Sequence, residues 1–291
     1  MRYSNISGFL QIKSEVLRTR LTSACREVQG ETELKQRHKK TAITVVLLTV
    51  ILTSVATNNK YLAEPRNRNP NSSPEQSTFT GSKETYLAES EHIFLDSFET
   101  DSGNWVYYGK AGLEAGSLIL TKNETFVFGA VKSKLSLGEN WRVSFRYKIG
   151  GGSGGDGIAF LFGVHSLEVF PLGGYLGFEP NESEYGVVFD SFYNPELRDP
   201  VENYIALVEK GIEQKLAIYE TVKTEDNLWH QVTITTVKGN IQIDLDGKDI
   251  ISKKINYDSK YDGFGFSAST GKYSNIHMID DFIFLRMDPR D

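Results

Sequence analysis

The sequence predicts an all-β sandwich, and three observations carry this prediction. From about His92 onward, short segments of alternating apolar and polar residues follow one another, bounded by Gly, Asn and Asp. The chain holds 17 Phe and 14 Tyr but only 3 Met, and its 26 glycines favour turns over helices. No long amphipathic helical pattern interrupts the segments. Stacked sheets of aromatic-rich strands satisfy all three observations.

About ten strands are predicted, and the clearest covers residues 141–149. Apolar residues at every second position alternate there with Arg, Ser and Lys, which predicts one buried face and one solvated face. Asp246 and Gly247 separate two such segments and predict a tight hairpin turn. The predicted strands are 126–131, 141–149, 158–162, 185–190, 204–209, 215–219, 229–237, 241–245, 263–268 and 279–285.

Charge and cysteine content narrow the range of functions. The 291-residue chain has a net charge of −6, but residues 1–40 hold nine Lys and Arg against four Asp and Glu, which leaves −11 for the remainder. An acidic body argues against nucleic acid as a partner. Cys25 is the only cysteine, so no disulfide can form within the chain.

The N-terminal part of the chain predicts a membrane anchor. An uncharged apolar stretch at residues 41–57 directly follows the basic run RHKK. We therefore expect a basic cytosolic leader (1–40), a signal anchor (41–57), a disordered polar stalk (58–90) and a folded domain (91–288). This is a single-pass type II topology with a luminal or extracellular domain. Small residues at Ser54 and Ala56 also suit signal-peptidase cleavage, which would make the protein secreted.

Three N-glycosylation sequons lie C-terminal to the predicted anchor, at Asn71, Asn123 and Asn181. A domain exposed to the lumen of the secretory pathway would present them to the glycosylation machinery. The predicted topology therefore also predicts a glycoprotein.

Two short patterns match the motifs of other chemistries but have the wrong context. The glycine-rich run at 150–157 has the spacing of phosphate-binding and nucleophile-elbow motifs, yet it joins two predicted strands where both motifs need a helix. Asp244 and Asp246 form the D-x-D pattern of many metal-dependent glycosyltransferases, but they lie on a strand that enters a turn. We interpret both patterns as structural features.

A candidate calcium site lies in the segment 185–208. Asp190 ends a predicted strand, and Phe192, Asn194 and Asp199 follow in a loop. Two carboxylates, an amide oxygen and the backbone carbonyl of Phe192 are the oxygen ligands that calcium takes, with waters completing its shell. On residue types alone, an Asp and an Asn at this spacing are more often turn-capping residues than metal ligands.

Four separated segments together resemble the L-type lectins, the family of legume seed lectins and of animal cargo lectins of the early secretory pathway. The segments are GGDGIAFLF from Gly154, GGYLGF from Gly173, VVFDSFYNPELRDP from Val187 and GFGFSASTG from Gly263. They occur in the order typical of the family and span residues 92–288. The resemblance implies a concanavalin A-like jelly-roll β-sandwich that binds carbohydrate.

The resemblance also implies roles for individual residues. Asp156 would accept hydrogen bonds from sugar hydroxyls, and Gly174 would donate its backbone N–H to the sugar. Asn194 would bind calcium through its oxygen and sugar through its NH₂ group. Phe192 would stack its ring on the sugar while its carbonyl binds calcium, together with Asp190 and Asp199.

Some positions vary within the family and distinguish this chain. Lys272 and Tyr273 occupy the loop that is expected to set sugar specificity. Plant members bind a transition metal with a Glu and a His whose positions hold Val188 and Tyr204 here. The resemblance therefore implies calcium but no manganese site, as in the animal cargo lectins.

The expected function is calcium-dependent binding of glycans or glycoproteins by a membrane-anchored domain, without catalysis. One alternative is a carbohydrate-active enzyme, either a glycosyltransferase or a sandwich-fold hydrolase. Another is an adhesion or structural module whose calcium serves stability alone. An oligomer is possible, and neither the bound sugar nor the compartment follows from the sequence.

Overall fold

The computed structural model describes residues 92–180, 182–220 and 222–287. The predicted leader (1–40), signal anchor (41–57) and stalk (58–90) lie outside these residues and remain predictions. Among the residues described, no helix has the length and apolar character needed to cross a membrane.

The described residues form fifteen β-strands, which is more than the ten predicted. Five were missed. The strand 117–121 is buried along its whole length and has no alternation, whereas 248–254 is largely exposed and charged. The strands are β1 (His92–Asp96), β2 (Trp105–Gly109), β3 (Gly112–Glu114), β4 (Ser117–Thr121), β5 (Phe128–Ser133), β6 (Trp141–Gly150), β7 (Gly157–Val164), β8 (Ser183–Asp190), β9 (Tyr204–Glu209), β10 (Lys215–Tyr219), β11 (His230–Val237), β12 (Asn240–Leu245), β13 (Lys248–Lys254), β14 (Gly263–Ser269) and β15 (Ile276–Arg286).

The strands form two antiparallel sheets. The eight-stranded sheet has the order β13-β12-β11-β6-β15-β4-β3, and β1 pairs with the C-terminal half of β15. The seven-stranded sheet has the order β10-β9-β8-β7-β14-β5-β2. The predicted all-β sandwich is confirmed, and two large antiparallel sheets are consistent with a concanavalin A-like fold.

Aromatic side chains from both sheets fill the space between them. Trp141 and Phe145 of β6 project from the eight-stranded sheet and are fully buried. Their ring centroids lie 5.2 Å from Phe162 of β7 and 4.9 Å from Phe266 of β14, respectively. Such edge-to-face pairs add to the free energy gained by burying the rings. The aromatic-rich strands that the composition predicts thus supply the core between the sheets.

A second apolar cluster covers the outer face of the seven-stranded sheet. Leu167, Leu176 and Phe178 of the long β7–β8 connection pack there against the outward side chains of β7, β8 and β9. Both faces of β7 are therefore covered, and all eight of its residues are buried. Covering this face also brings the β7–β8 connection close to the strand ends that carry the candidate site.

The predicted hairpin turn joins β12 to β13. Asp246 and Gly247 have φ angles of 51° and 80°, which are the positive values that a type I′ turn needs at both central positions. The glycine-rich run 151–156 joins β6 directly to β7, as the sequence predicts. Neither segment leads into a helix.

Candidate functional site

The candidate site lies where three neighbouring strands end together. Gly157 at the start of β7 pairs with Asp190 at the end of β8 and with Ser269 at the end of β14. The loops 151–156, 191–203 and 270–275 therefore emerge side by side. Gly173 of the β7–β8 connection joins them, because its carbonyl accepts a hydrogen bond from the Ser269 hydroxyl at 2.7 Å. These segments, with the strand end at Asp190, contain all of the predicted site residues.

The backbone of Asp156 is held by two of these strand ends. Its carbonyl accepts hydrogen bonds from both the N–H and the hydroxyl of Ser191, each at 2.8 Å. Its own N–H donates to the carbonyl of Ser269 at 3.3 Å. The peptide bond that precedes it is cis, and Gly155 has a φ of 133°, which favours glycine. These contacts fix the direction in which the Asp156 side chain points.

The carboxylate of Asp156 is buried, and the described part of the protein donates a hydrogen bond to only one of its two oxygens. The residue is 3% exposed, and Oδ2 accepts a hydrogen bond of 2.6 Å from the N–H of Gly271. Among the described residues, Oδ1 has no hydrogen-bond partner. Burial raises the pKa of Asp156 to about 6; the Gly271 hydrogen bond opposes this rise, and the charge of Asp199 adds to it. Within the described part of the chain, one oxygen of this carboxylate accepts no hydrogen bond, and no cationic side chain forms an ion pair with it.

Asp190 and Asp199 form an acidic pair beside Asp156. Asp190 is fully buried, and Oδ1 accepts the N–H of Phe192 at 3.0 Å. Oδ2 of Asp199 accepts the N–H of Asn194 at 2.7 Å, which closes the loop between them. Burial, and then the charge of Asp199, raise the pKa of Asp190 well above its ordinary value. Such a pair favours a bound cation.

The side chain of Asn194 has an oxygen that nothing in the described part of the protein satisfies. Its Oδ1 is inaccessible to solvent and has no hydrogen-bond partner there. The neighbouring Gly174 leaves room for it, because a Cβ there would lie 2.4 Å from this oxygen. An unpartnered buried oxygen beside two carboxylates fits a hard cation such as calcium.

No group of three or more His, Cys, Asp or Glu side chains suited to a metal occurs in the described residues. The candidate set offers two such carboxylates, and its other donors are an amide oxygen and a backbone carbonyl. This composition suits calcium better than a transition metal.

The two positions predicted to lack transition-metal ligands have other roles. Val188 is buried in the second apolar cluster. The Tyr204 hydroxyl lies between the acidic pair, 3.1 Å from Oδ2 of Asp190 and 2.6 Å from Oδ1 of Asp199. Burial and the charge of Asp190 raise the pKa of Tyr204, so the hydroxyl keeps its proton and donates it.

Lys215 also contacts the acidic pair, and no sequence pattern indicated this contact. Its Nζ lies 3.2 Å from Oδ1 of Asp199, and its side chain is 5% exposed. A lysine that begins an alternating strand is ordinarily expected to face solvent. The pairing of β10 with β9 positions Lys215, and the carbonyls of Leu197 and Ile212 accept hydrogen bonds from its ammonium group.

Aromatic side chains border the site. The rings of Phe192 and Tyr273 have centroids 5.2 Å apart, and Tyr273 is 39% exposed. Nζ of Lys272 lies 5.8 Å from the centre of the Tyr273 ring. Phe126, which the sequence did not single out, is 63% exposed, and its N–H donates to the carbonyl of Gly271. The structure thus places Phe192, Lys272 and Tyr273 on one rim.

The sequence profile of the legume-like lectin family matches residues 86–291. The chain belongs to the legume-like lectin family. The match spans more than half of the chain and includes all of the loops described above. The resemblance stated from the four sequence segments is confirmed. No protein with a curated description is significantly similar in sequence to the chain as a whole.

Several solved structures share the fold. The exoplasmic/lumenal domain of VIP36 in its Ca²⁺/Man3GlcNAc-bound form has a TM-score of 0.59 and 20% identity, over 69% of this chain and 90% of that one. A lectin from Bauhinia forficata in complex with GalNAc has a TM-score of 0.59 and 19% identity, over 67% and 98%. The carbohydrate recognition domain of Emp47p has a TM-score of 0.53 and 16% identity, over 68% and 96%. At these identities the likeness establishes the fold.

Proposed function

We propose that this protein binds glycans in a calcium-dependent manner and that the loops around Asp156 form the sugar site. The observation that carries the proposal is the state of the Asp156 carboxylate. It is 3% exposed, and one of its oxygens has no partner among the described residues. Burying a charge in this way costs stability, and a ligand that donates hydroxyl hydrogens would offset this cost.

Each of the other predicted residues has a place in this proposal. Asp190, Asn194 and Asp199 would hold calcium with the carbonyl of Phe192, and waters would complete its coordination. Bound calcium would supply further positive charge beside the carboxylates and orient the Asn194 amide toward the sugar. Gly174 would donate its N–H, since it lies directly against Asn194.

The aromatic rim supplies apolar contact and selectivity in this proposal. The Phe192 ring would pack on the apolar face of a pyranose, while Lys272 and Tyr273 would select among sugars by shape and hydrogen bonding. A shallow site of this kind binds a single sugar weakly, so multivalent display of ligand would raise the observed affinity.

Two of the structural neighbours support the choice of ligand class. The VIP36 domain was solved with Ca²⁺ and a mannose-containing oligosaccharide, and the Bauhinia lectin with GalNAc. These ligands belong to those proteins, and they guide the choice of probes for this one.

A glycan array tests the proposed function. The full-length chain is applied to multivalent glycans in calcium, in excess chelator and after calcium is restored. We expect binding that is lost in chelator and regained with calcium. Binding to no glycan under any condition would contradict the proposal, as would cleavage or transfer of the sugar, which would indicate a carbohydrate-active enzyme.

We further propose that residues 41–57 anchor the protein in a membrane with the lectin domain on the luminal or extracellular side. The VIP36 domain, which has the same fold, is described as exoplasmic/lumenal. In eukaryotic cells we expect glycosidase treatment to reduce the apparent mass of the protein, because Asn71, Asn123 or Asn181 carries a glycan. A glycosidase-insensitive chain whose leader is protected inside sealed vesicles would reverse the orientation. Recovery of the domain in the medium without the leader would indicate secretion instead.

A further inference from the structure

The ammonium group of Lys215 forms one ion pair and two hydrogen bonds beside the predicted calcium loop. Its Nζ lies 3.2 Å from Oδ1 of Asp199. It also donates to the carbonyls of Leu197 and Ile212, each at 2.9 Å. Two of the three ammonium hydrogens are therefore donated to backbone carbonyls, and the positive charge lies beside the Asp199 carboxylate. The lysine therefore ties the strand β10 to the turn that contains Leu197.

The same ammonium group supplies the charge that the acidic pair needs. Among the described residues, Lys215 is the only cationic side chain that forms an ion pair with Asp190 or Asp199. Tyr204 donates a single hydroxyl hydrogen between the two carboxylates, and its ring faces Nζ of Lys215 at 5.4 Å. Two buried carboxylates that shared only this hydroxyl would repel each other strongly.

We propose that Lys215 is a built-in cation that, with the Tyr204 hydroxyl, holds Asp190 and Asp199 in the calcium-binding arrangement before calcium arrives. This inference rests on the proposed calcium site. Lys215 acts as a positioning residue, because it contacts the ligand Asp199 and not the sugar. It follows that the fold of the loop does not depend on a metal ion.

Removal of the lysine separates this role from ordinary packing. In Lys215→Met the aliphatic stem remains, but the acidic pair loses its cation. A calcium ion supplies positive charge to the same carboxylates, so it would compensate for the loss. If the lysine merely caps the carbonyls of Leu197 and Ile212, calcium has nothing to compensate.

The experiment measures the thermal midpoint of the full-length chain in excess chelator and in millimolar calcium. In chelator we expect Lys215→Met to lower the midpoint by on the order of 10 °C, as breaking a buried ion pair does in a domain of this size. Calcium should restore more than half of that loss, and its effect on the wild-type midpoint should be smaller. Lys253→Met removes an exposed lysine of β13 and should change the midpoint by about 2 °C or less in either condition.

A double-mutant cycle in chelator tests the charge pairing without any metal. Combining Lys215→Met with Asp199→Asn should lower the stability clearly less than the sum of the two single changes. Once one charge of the ion pair has been removed, removing the other breaks no further ion pair. If Lys215→Met fails to fold, Lys215→Gln takes its place in the thermal measurements and in the double-mutant cycle. The glutamine side chain keeps an amide donor for the two carbonyls but carries no charge.

Two results would overturn the inference. One is an equal loss of thermal midpoint with and without calcium, and the other is additivity of the two substitutions in chelator. If the wild-type chain binds neither calcium nor glycan, the proposed function fails, while the double-mutant cycle still decides whether Lys215 holds the acidic pair.

Discussion

Replacing Asp156 with asparagine should separate sugar binding from folding. At neutral pH the folded protein keeps this buried carboxylate ionised although burial raises its pKa from 3.8 to about 6. When folding raises the pKa of a carboxyl group, the folded protein loses stability as the pH rises from the pKa of the unfolded state to the pKa of the folded state. The difference between the two pKa values of Asp156 corresponds to about 3 kcal/mol of destabilisation at pH 7. The substituted asparagine side chain would carry no charge, and its amide oxygen can still accept the Gly271 N–H.

We therefore expect Asp156→Asn to abolish glycan binding and to leave the calcium-free protein as stable as wild type or up to about 3 kcal/mol more stable. Urea unfolding in chelator at pH 7 measures the stability, and array binding in calcium measures the function. Glu196→Gln is the matched control, because Glu196 is an exposed carboxylate in the same loop region as Asn194. Retained glycan affinity, or a loss of more than about 2 kcal/mol of stability, would refute the assignment of Asp156 as a ligand-binding residue.

Three further predictions concern the metal site, its support and the pH dependence of stability. Gly174→Ala places a Cβ 2.4 Å from Oδ1 of Asn194 and should lower glycan affinity by about tenfold or more, whereas Gly112→Ala, with open space around its Cβ, should not. Chelation should abolish glycan binding while the circular dichroism of the sheets persists, and undiminished binding in excess chelator would contradict this. Manganese should add nothing to calcium, and a second, tightly bound transition metal found by elemental analysis would contradict that expectation. Burial lowers the pKa of His230, but hydrogen bonds to Asp246 and Asp226 raise it more. The stability that His230 provides should be full below about pH 6.5 and should be lost as pH rises through the raised value, so the difference in thermal midpoint between wild type and His230→Gln should shrink with rising pH; a constant difference would contradict this.

Local sequence patterns predicted those parts of the fold that depend on near neighbours. The strands Tyr204–Glu209 and Lys215–Tyr219 have the predicted bounds, and the turn at Asp246 and Gly247 needs only its own two residues. The loops of the candidate site were also identified, because four short segments carry the family pattern.

Features that arise from distant contacts could not be predicted in this way. The burial of Asp156 is one example, because the N–H that bonds its carboxylate belongs to Gly271, 115 residues away. Burial of both faces of β7 depends on how the β7–β8 connection folds back over the sheet. The ammonium of Lys215 is inside for a similar reason, since it contacts the carbonyl of Leu197 and the carboxylate of Asp199, which lie 18 and 16 residues before it. None of these contacts leaves a periodic signal in the sequence.

The most direct test of the proposed function is an experimental structure of the chain with calcium and with the glycan that binds best on the array. We expect one calcium ion bonded to Asp190, Asn194, Asp199 and the carbonyl of Phe192, and a sugar whose hydroxyls donate to Oδ1 of Asp156. A glycan bound elsewhere on the domain, or bound beside Asp156 with no cation among those residues, would contradict it.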